Sequence, residues 1–388
     1  MSEDLLDRSS EERFAEVQRR LAFAYFAEED ASRVTKPFAL NAVARSVMSA
    51  GRAPAGFEPT KEIILNRDIQ DFSPFLSLVN VLPRKQQKGG SLLVTNQGRV
   101  TRTNNTYAGQ ERRLSDPKDS TLNEYEMVKA HSDFRLHDDD IDAMSEFSNW
   151  ADLYRAAFLE AMGNDRIIIG WHGESHALTS DLSQNTLLQD VNKGWLKLLK
   201  ERASSQVLSG GAEAGVIKIG SKANGGDYAN LDHLVQDLLQ GIPLHKRSAG
   251  MTALIAESIM GGAEGVYFQE QAGTPSEKPR IKEKAVTGTY GGLEAMPAPF
   301  MPQTSIVITG LKRNGQQYSN LSIYWQKDTW RRSAEYKASL ESSIDWNARR
   351  EAYHIEDLRS MVALDCEQVV FVDSGLEIER IPAHSWEN

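Results

Sequence analysis

The chain has 388 residues, 40% hydrophobic and 25% charged, with a net charge of -10 and a single cysteine, Cys366. That length suggests roughly two or three domains with a real core, and the acidic balance argues against a protein that lives by wrapping nucleic acid, whose affinity rests on phosphate contacts. One cysteine excludes an internal disulfide and fits a reducing compartment; with an acidic start, no signal-like segment and no apolar run near the ~20 residues a bilayer needs, a soluble chain made in a cytoplasm, without membrane contact, is expected.

Ser9 to Glu29 reads as an amphipathic helix. Ser9 and Glu12 form a capping box, and Phe14, Val17, Leu21, Ala24 and Tyr25 recur at helical spacing. A second helix is expected over Pro37 to Met48, followed by a loop from Gly51 to Pro59. The first sixty or so residues therefore resemble an arm more than a domain.

Residues 82 to 118 are rich in Gly, Asn, Gln, Thr and Arg. Ser91 to Thr103 carries strand-forming residues, and Leu122 to Leu136 is the expected returning strand. The pair predicts a long hairpin with an irregular tip. An isolated hairpin is marginal in water, so it needs something to lie on. Charge sharpens the point. From Leu82 to Lys118 there are eight bases (Arg84, Lys85, Lys88, Arg99, Arg102, Arg112, Arg113, Lys118) and two acids, so 8 − 2 = +6. From Asp119 to Glu146 there are nine acids, among them Asp138, Asp139, Asp140, Asp142 and Glu146, and two bases, so 2 − 9 = −7. The two stretches can be adjacent solvated faces. They can equally be complementary docking surfaces between copies, which makes these residues candidate inter-subunit contacts.

Trp150, Leu153, Tyr154, Ala157, Phe158, Ala161 and Met162 mark one face of the strongest helix. It is expected from Asp140 to Gly170, roughly 40 Å long, which suits a spine. Further on, Leu188 to Ala203 is expected as a helix, Gly210 to Gly226 as a loop and Leu231 to Leu239 as a short helix. Ser305 to Thr309 and Leu321 to Trp325 are apolar strand runs. Glu367 to Val372 and Leu376 to Ile381 are expected strands joined by a turn at Asp373, Ser374 and Gly375.

Signals for chemistry are weak and scattered. His172 and His176 flank Glu174, but the acid is misplaced for the helical zinc motif and Gly173 weakens a helix. Asp138, Asp139 and Asp140 sit where acids favour the start of the long helix. Gly215 to Lys222 misses the phosphate-loop pattern because Lys and Ser are swapped. Cys366 has apolar neighbours and no activating base, as a buried structural thiol would. No enzyme, cofactor or metal site is expected.

Several ordered blocks carry a resemblance. They are Leu188-Gln189-Asp190-Val191 with Gly194-Trp195-Leu196, then Gly225-Gly226-Asp227-Tyr228-Ala229 with Leu231-Asp232 and Leu234-Val235. Asn320-Leu321-Ser322-Ile323-Tyr324, Arg331-Arg332, Glu341-Ser342 and Tyr353, Ile355, Glu356 and Asp357 follow. In order and spacing, from about residue 145 to 372, they resemble the major capsid proteins of peduovirus-type tailed bacteriophages.

That resemblance implies an α+β chain with the Hong Kong 97-type capsid fold. Its parts would be an N-terminal arm (1–80), an extended β-hairpin loop (81–137), a peripheral domain with a long spine helix (138–227), an axial domain (228–318) and a return to the peripheral domain (319–388). The implied function is self-assembly, through hexamers and pentamers, into an icosahedral shell around double-stranded DNA. Scaffolding, a maturation protease, a portal and decoration proteins are the implied partners. A cellular nanocompartment shell of the same fold is the alternative, and a metal-dependent hydrolase using His172, His176 and the Asp138 cluster is a third reading.

Overall fold

The computed structural model describes residues 55–56, 69–70, 73–96, 101, 118–139, 150–247, 250–270, 288–313 and 315–380. The helices expected over Ser9–Glu29 and Pro37–Met48 lie outside them.

The first elements are β1 (Ala55–Gly56), α1 (Pro74–Ser77), β2 (Asn80–Arg84), β3 (Lys88–Asn96), β4 (Lys118–Glu126), β5 (Val128–His131), β6 (Phe134–His137) and α2 (Trp150–His172). Then come α3 (Trp195–Arg202), β7 (Val207–Leu208), β8 (Val216–Ile219), α4 (Leu231–Gln240), β9 (Met251–Ile255) and α5 (Glu257–Glu270). Strands follow: β10 (Thr289–Tyr290), β11 (Leu293–Met296), β12 (Ser305–Gly310), β13 (Leu321–Gln326), β14 (Arg331–Lys337), β15 (Ser342–Ile355), β16 (Val362–Asp365), β17 (Gln368–Phe371) and β18 (Leu376–Glu379).

Two larger sheets organise these elements. In the seven-stranded sheet the path is β1-β14-β15-β13-β2, and β5 and β6 also pair with β15. At 14 residues, β15 is long enough to serve four partners. The six-stranded sheet runs β10-β11-β9-β12-β16-β7. Its central strands are buried on both faces, which is why Met251–Ile255 and Ser305–Thr309 read as continuous apolar runs rather than alternating ones. Leu254, Val307 and Ala363 face one core, built with α2, α3 and the seven-stranded sheet. Ala253, Ile255, Ile306, Ile308 and Leu364 face a second core, covered by Leu231, Leu234, Val235 and Leu238 of α4. That helix is capped by Asn230, whose Oδ1 accepts from the backbone N–H of His233 at 2.8 Å.

Four expectations need correction. The helix expected over Leu188–Ala203 begins only at Trp195. Leu188 sits in the left-handed region at φ 55, and Gly194 is extended against the end of α2. A Cβ on Gly194 would lie 2.3 Å from the Ile169 carbonyl oxygen, so this position accepts only glycine. Within the expected loop Gly210–Gly226 there is a strand, β8, because Ile217 and Ile219 are needed by the second core and pair in parallel with β17. The strand expected from Glu367 starts at Gln368. Cys366 lies between β16 and β17, buried, and that burial pushes its thiol up to about 12.

The fourth concerns the hairpin. Its strands are Lys88–Asn96 and Lys118–Glu126, paired antiparallel from Lys88↔Glu126 to Asn96↔Lys118. The returning strand therefore starts earlier than Leu122 and stops before Leu136. Met127 explains the stop. It is fully buried against Tyr324 and Ala352 and redirects the chain into β5 and β6, which join β15 instead. The long helix ends at His172, two residues beyond the expected Gly170, and its expected start at Asp140 lies outside the described residues. Among the described residues no helix is long and apolar enough to cross a membrane.

Candidate assembly interface

The hairpin stands outside the two larger sheets. Among the described residues β3 and β4 form a two-stranded sheet and pair with no other strand. Its base is fixed to the body of the chain. Asn123 Nδ2 donates to the Ile355 carbonyl at 2.6 Å, and Arg202 of α3 donates to Asn123 Oδ1.

Beneath that base lies an aromatic cluster. Tyr125 of β4 meets Tyr324 edge-on at 4.9 Å, and Tyr324 stacks on His354 at 4.9 Å and 28°. The Arg84 guanidinium covers the Tyr324 ring at 4.4 Å, and the Tyr324 hydroxyl donates to Glu356 at 2.6 Å. His354 is fully buried, and neither ring nitrogen has a hydrogen-bond partner among the described residues. Burial lowers its pKa to about 4, reinforced by Arg202 and Arg84 and opposed by Glu356.

A pH dependence follows. An unfolded His354 titrates near 6.5, so below that pH the unfolded chain takes up a proton that the folded chain refuses. The contribution of this site is whole above pH 6.5 and is lost as pH falls towards 4, by about 3 kcal/mol in total. Urea unfolding at several pH values is expected to show that loss. The His354→Phe variant, which keeps a stacked ring, is expected to lack it; an unchanged slope in that variant would contradict the assignment.

A buried ionic cluster ties α2 to β15. Arg166 Nε donates to Glu351 Oε1 at 2.9 Å, and Arg349 Nε lies 2.9 Å from the same oxygen. Burial alone would raise the Glu351 carboxyl, but the two guanidiniums outweigh it and hold it below the usual carboxylate range. The Tyr353 hydroxyl completes the link by donating to the Arg166 carbonyl at 3.0 Å. Sequence reasoning missed these residues. A signal existed: Arg166 continues the i, i+4 series Phe158, Met162 along the apolar stripe of α2, where a charge needs a partner. Arg332 of the Arg331-Arg332 pair has a similar role, holding Asp345 through Nε at 2.8 Å to both carboxylate oxygens.

The contact candidates divide. Arg84 closes β2 over Tyr324, and Lys85 is exposed beside it, its carbonyl accepting from Gln326 Nε2 at 3.1 Å. Lys88 pairs with Glu126 across the hairpin at 2.6 Å. Asp138 follows β6 and accepts from the Tyr336 hydroxyl at 2.7 Å, and Asp139 lies 3.7 Å from His137. Arg99, Arg102, Arg112, Arg113, Asp140, Asp142 and Glu146 lie outside the described residues.

The weak chemical signals come apart. Only His172 of the histidine pair is helical. It donates from Nε2 to the Phe300 carbonyl at 2.8 Å, whereas His176 donates from Nδ1 to the Val191 carbonyl at 2.8 Å. Among the described residues no three His, Cys, Asp or Glu side chains converge as a metal site would require. The phosphate-loop near miss is the strand β8 followed by Ser221, whose hydroxyl donates to Asp373 at 3.0 Å.

Comparison with known proteins decides what the scaffold is for. Residues 39–366 match the family described as phage major capsid protein, P2 family. The chain belongs to the P2 family of phage major capsid proteins. It is 28% identical over 314 residues to the protein named "Capsid proteins" of Escherichia phage P2, covering 77% of this chain and 83% of that one. Against the major capsid protein of Serratia phage KSP20 it is 24% identical over 336 residues, with 86% and 93% covered. Among solved structures, a chain of the satellite phage P4 procapsid including size determination (Sid) protein superposes with a TM-score of 0.67 at 24% identity, covering 87% of this chain and 99% of that chain. The fold is the α+β Hong Kong 97 type. This P2-family subunit is thus a structural component of a phage capsid that assembles with copies of itself, and neither an enzyme nor a nanocompartment reading is favoured.

Proposed function

We propose that the hairpin β3–β4 is the principal contact between neighbouring subunits, its basic tip lying on the acidic stretch Asp119–Glu146 of the next copy. One observation carries this reading. Among the described residues the hairpin strands pair with no larger sheet, and the contacts at its base come from Asn123 and Tyr125, so a two-stranded ribbon of this kind gains from cover by a neighbouring copy. The +6 and −7 stretches supply complementary charge. Arg84 and Lys88 already have partners within the chain, which leaves Lys85, Arg99, Arg102, Arg112, Arg113 and Lys118 as the candidate cations for the neighbouring copy.

Within this reading residues 1–80 are the arm, 81–137 the extended loop, 138–227 and 319–388 the peripheral domain and 228–318 the axial domain. Copies close into hexamers and pentamers around double-stranded DNA in the host cytoplasm, aided by scaffolding, a maturation protease, a portal and decoration proteins. The net charge of -10 suits a wall that must not grip its cargo.

The Arg112→Glu, Arg113→Glu double variant is the test. It is expected to fold with an unchanged urea midpoint while the yield of shells in a sedimentation assay falls about tenfold. Wild-type yield from that variant would remove the proposed pairing.

A further inference from the structure

His354 is the next-to-last residue of β15, and its ring touches both the body of the chain and the base of the hairpin. Tyr324 of β13 stacks on it at 4.9 Å, and Tyr125 of β4 meets it edge-on at 6.1 Å and 77°. The ring is fully buried, and neither nitrogen has a hydrogen-bond partner among the described residues. A buried polar atom is normally satisfied. The charged groups acting on the ring are Glu356, just past β15, Arg202 of α3 and Arg84 of β2. Glu356 Oε1 is already accepting from the Ser322 and Tyr324 hydroxyls, both at 2.6 Å. Glu201 and Glu124 act in turn on Arg202. A proton on His354 would therefore add a cation near two guanidiniums, away from water. Burial is the main reason its pKa falls to about 4, with Glu356 opposing the shift and Arg202 and Arg84 adding to it.

The walls around the ring differ in how far they can yield. Strand β13 is paired on both sides, with β15 and with β2, so Tyr324 is fixed. The hairpin pairs with no other strand among the described residues. Beside the packing of Tyr125, its base is held by Asn123, which donates to the Ile355 carbonyl and accepts from Arg202. Ile355 follows His354 directly. Arg202 thus holds Asn123 and also repels a charge on His354. Lifting Tyr125 and Asn123 off the body lets water reach the ring and breaks no pairing in either large sheet.

We propose that His354 is a proton-sensitive latch for the hairpin: the neutral ring keeps the base of β4 seated through Tyr125, and protonation releases Tyr125 and Asn123 while both large sheets stay folded. The latch concerns how the hairpin is attached to its own chain. It stands whether or not the hairpin is the contact between copies.

The sign and size follow from linkage. Above pH 6.5 the ring is neutral with the hairpin seated or released, and acid has no preference between the two. As pH falls towards 4, the released form, whose ring is hydrated, takes up a proton that the seated form refuses. From about pH 7.5 to about pH 5 the ratio of released to seated hairpin is expected to rise about thirtyfold.

Met127 reads that ratio. It is fully buried against Tyr324 and Ala352, with Tyr125 and Leu82 packed over them. Dilute hydrogen peroxide oxidises an accessible thioether to the sulfoxide without a protonation step at sulfur, so the rate follows the exposed fraction. The test is peroxide treatment of the full-length subunit, freed of shells by sedimentation, with each methionine quantified by mass spectrometry. Met127 oxidation is expected to rise about thirtyfold between about pH 7.5 and about pH 5. Met162, Met251 and Met361, buried in the two larger cores, are expected to change less than about twofold. In His354→Phe the Met127 rate is expected to be flat. A flat Met127 rate in the wild type would overturn the latch. So would an equal rise at the other three methionines, which is global unfolding, or an undiminished rise in His354→Phe. The wild-type comparison decides the matter even if that variant folds poorly.

Discussion

Replacing Glu351 by alanine is expected to cost about 3–5 kcal/mol of folding stability, because it leaves two buried guanidiniums without their counter-ion. Arg166 has 0% and Arg349 5% side-chain exposure, and both converge on Glu351 Oε1. Arginine does not lose its proton to escape such a site. The alternatives are a charged interior or local opening of α2 from β15. Urea denaturation followed by tryptophan fluorescence reads the effect, and a loss below about 1 kcal/mol would show that the cluster is not what joins these elements. A companion variant separates charge from packing. Arg166→Met, Glu351→Leu and Arg349→Met together remove every charge at once and are expected to recover most of the loss, since apolar replacement of a whole buried ion cluster is often neutral or stabilising.

Trp195→Ala is expected to be nearly as damaging, at about 3–5 kcal/mol. The Trp195 ring has no exposure and meets Trp171 at 5.3 Å and Tyr353 at 5.4 Å, both nearly edge-on, while Nε1 donates to the Ser322 carbonyl at 3.2 Å. It therefore joins α2, α3, β13 and β15 at one point. The fit depends on Gly170, where a Cβ would lie 2.3 Å from the ring. Trp195→Phe keeps most of the apolar contact and is expected to lose appreciably less. Equal losses for the two variants in the same assay would mean that indole packing is not what the site uses.

These two sites show where a sequence can be read and where it cannot. Strands β12 and β13 were legible because a doubly buried strand must be a short apolar run. Helix α4, expected over Leu231–Leu239, runs from Leu231 to Gln240 and buries the stripe Leu231, Leu234, Val235 and Leu238. The hairpin was legible from composition, although its ends were set by Met127, whose burial depends on Tyr324 far along the chain. Trp195 lay inside a block that carried the family resemblance, yet the turn before it was misread as helix, since the close approach of Gly194 to α2 is a tertiary fact. The Arg166–Glu351 pair spans 185 positions. Arg166 could have been flagged as a charge on an apolar stripe, and Arg349, Glu351 and Tyr353 as an alternating set in one strand. That these two sets meet is set by topology. The same holds for His354, whose neighbours Tyr125 and Arg84 arrive from different strands.

The central claim is that this chain is a shell subunit that assembles with copies of itself, and electron microscopy of the expressed, purified full-length protein tests it most directly. Closed particles or capsomer rings are predicted in negative stain. A folded protein that stays dispersed as monomers across concentration and ionic strength, with neither rings nor particles, would contradict it.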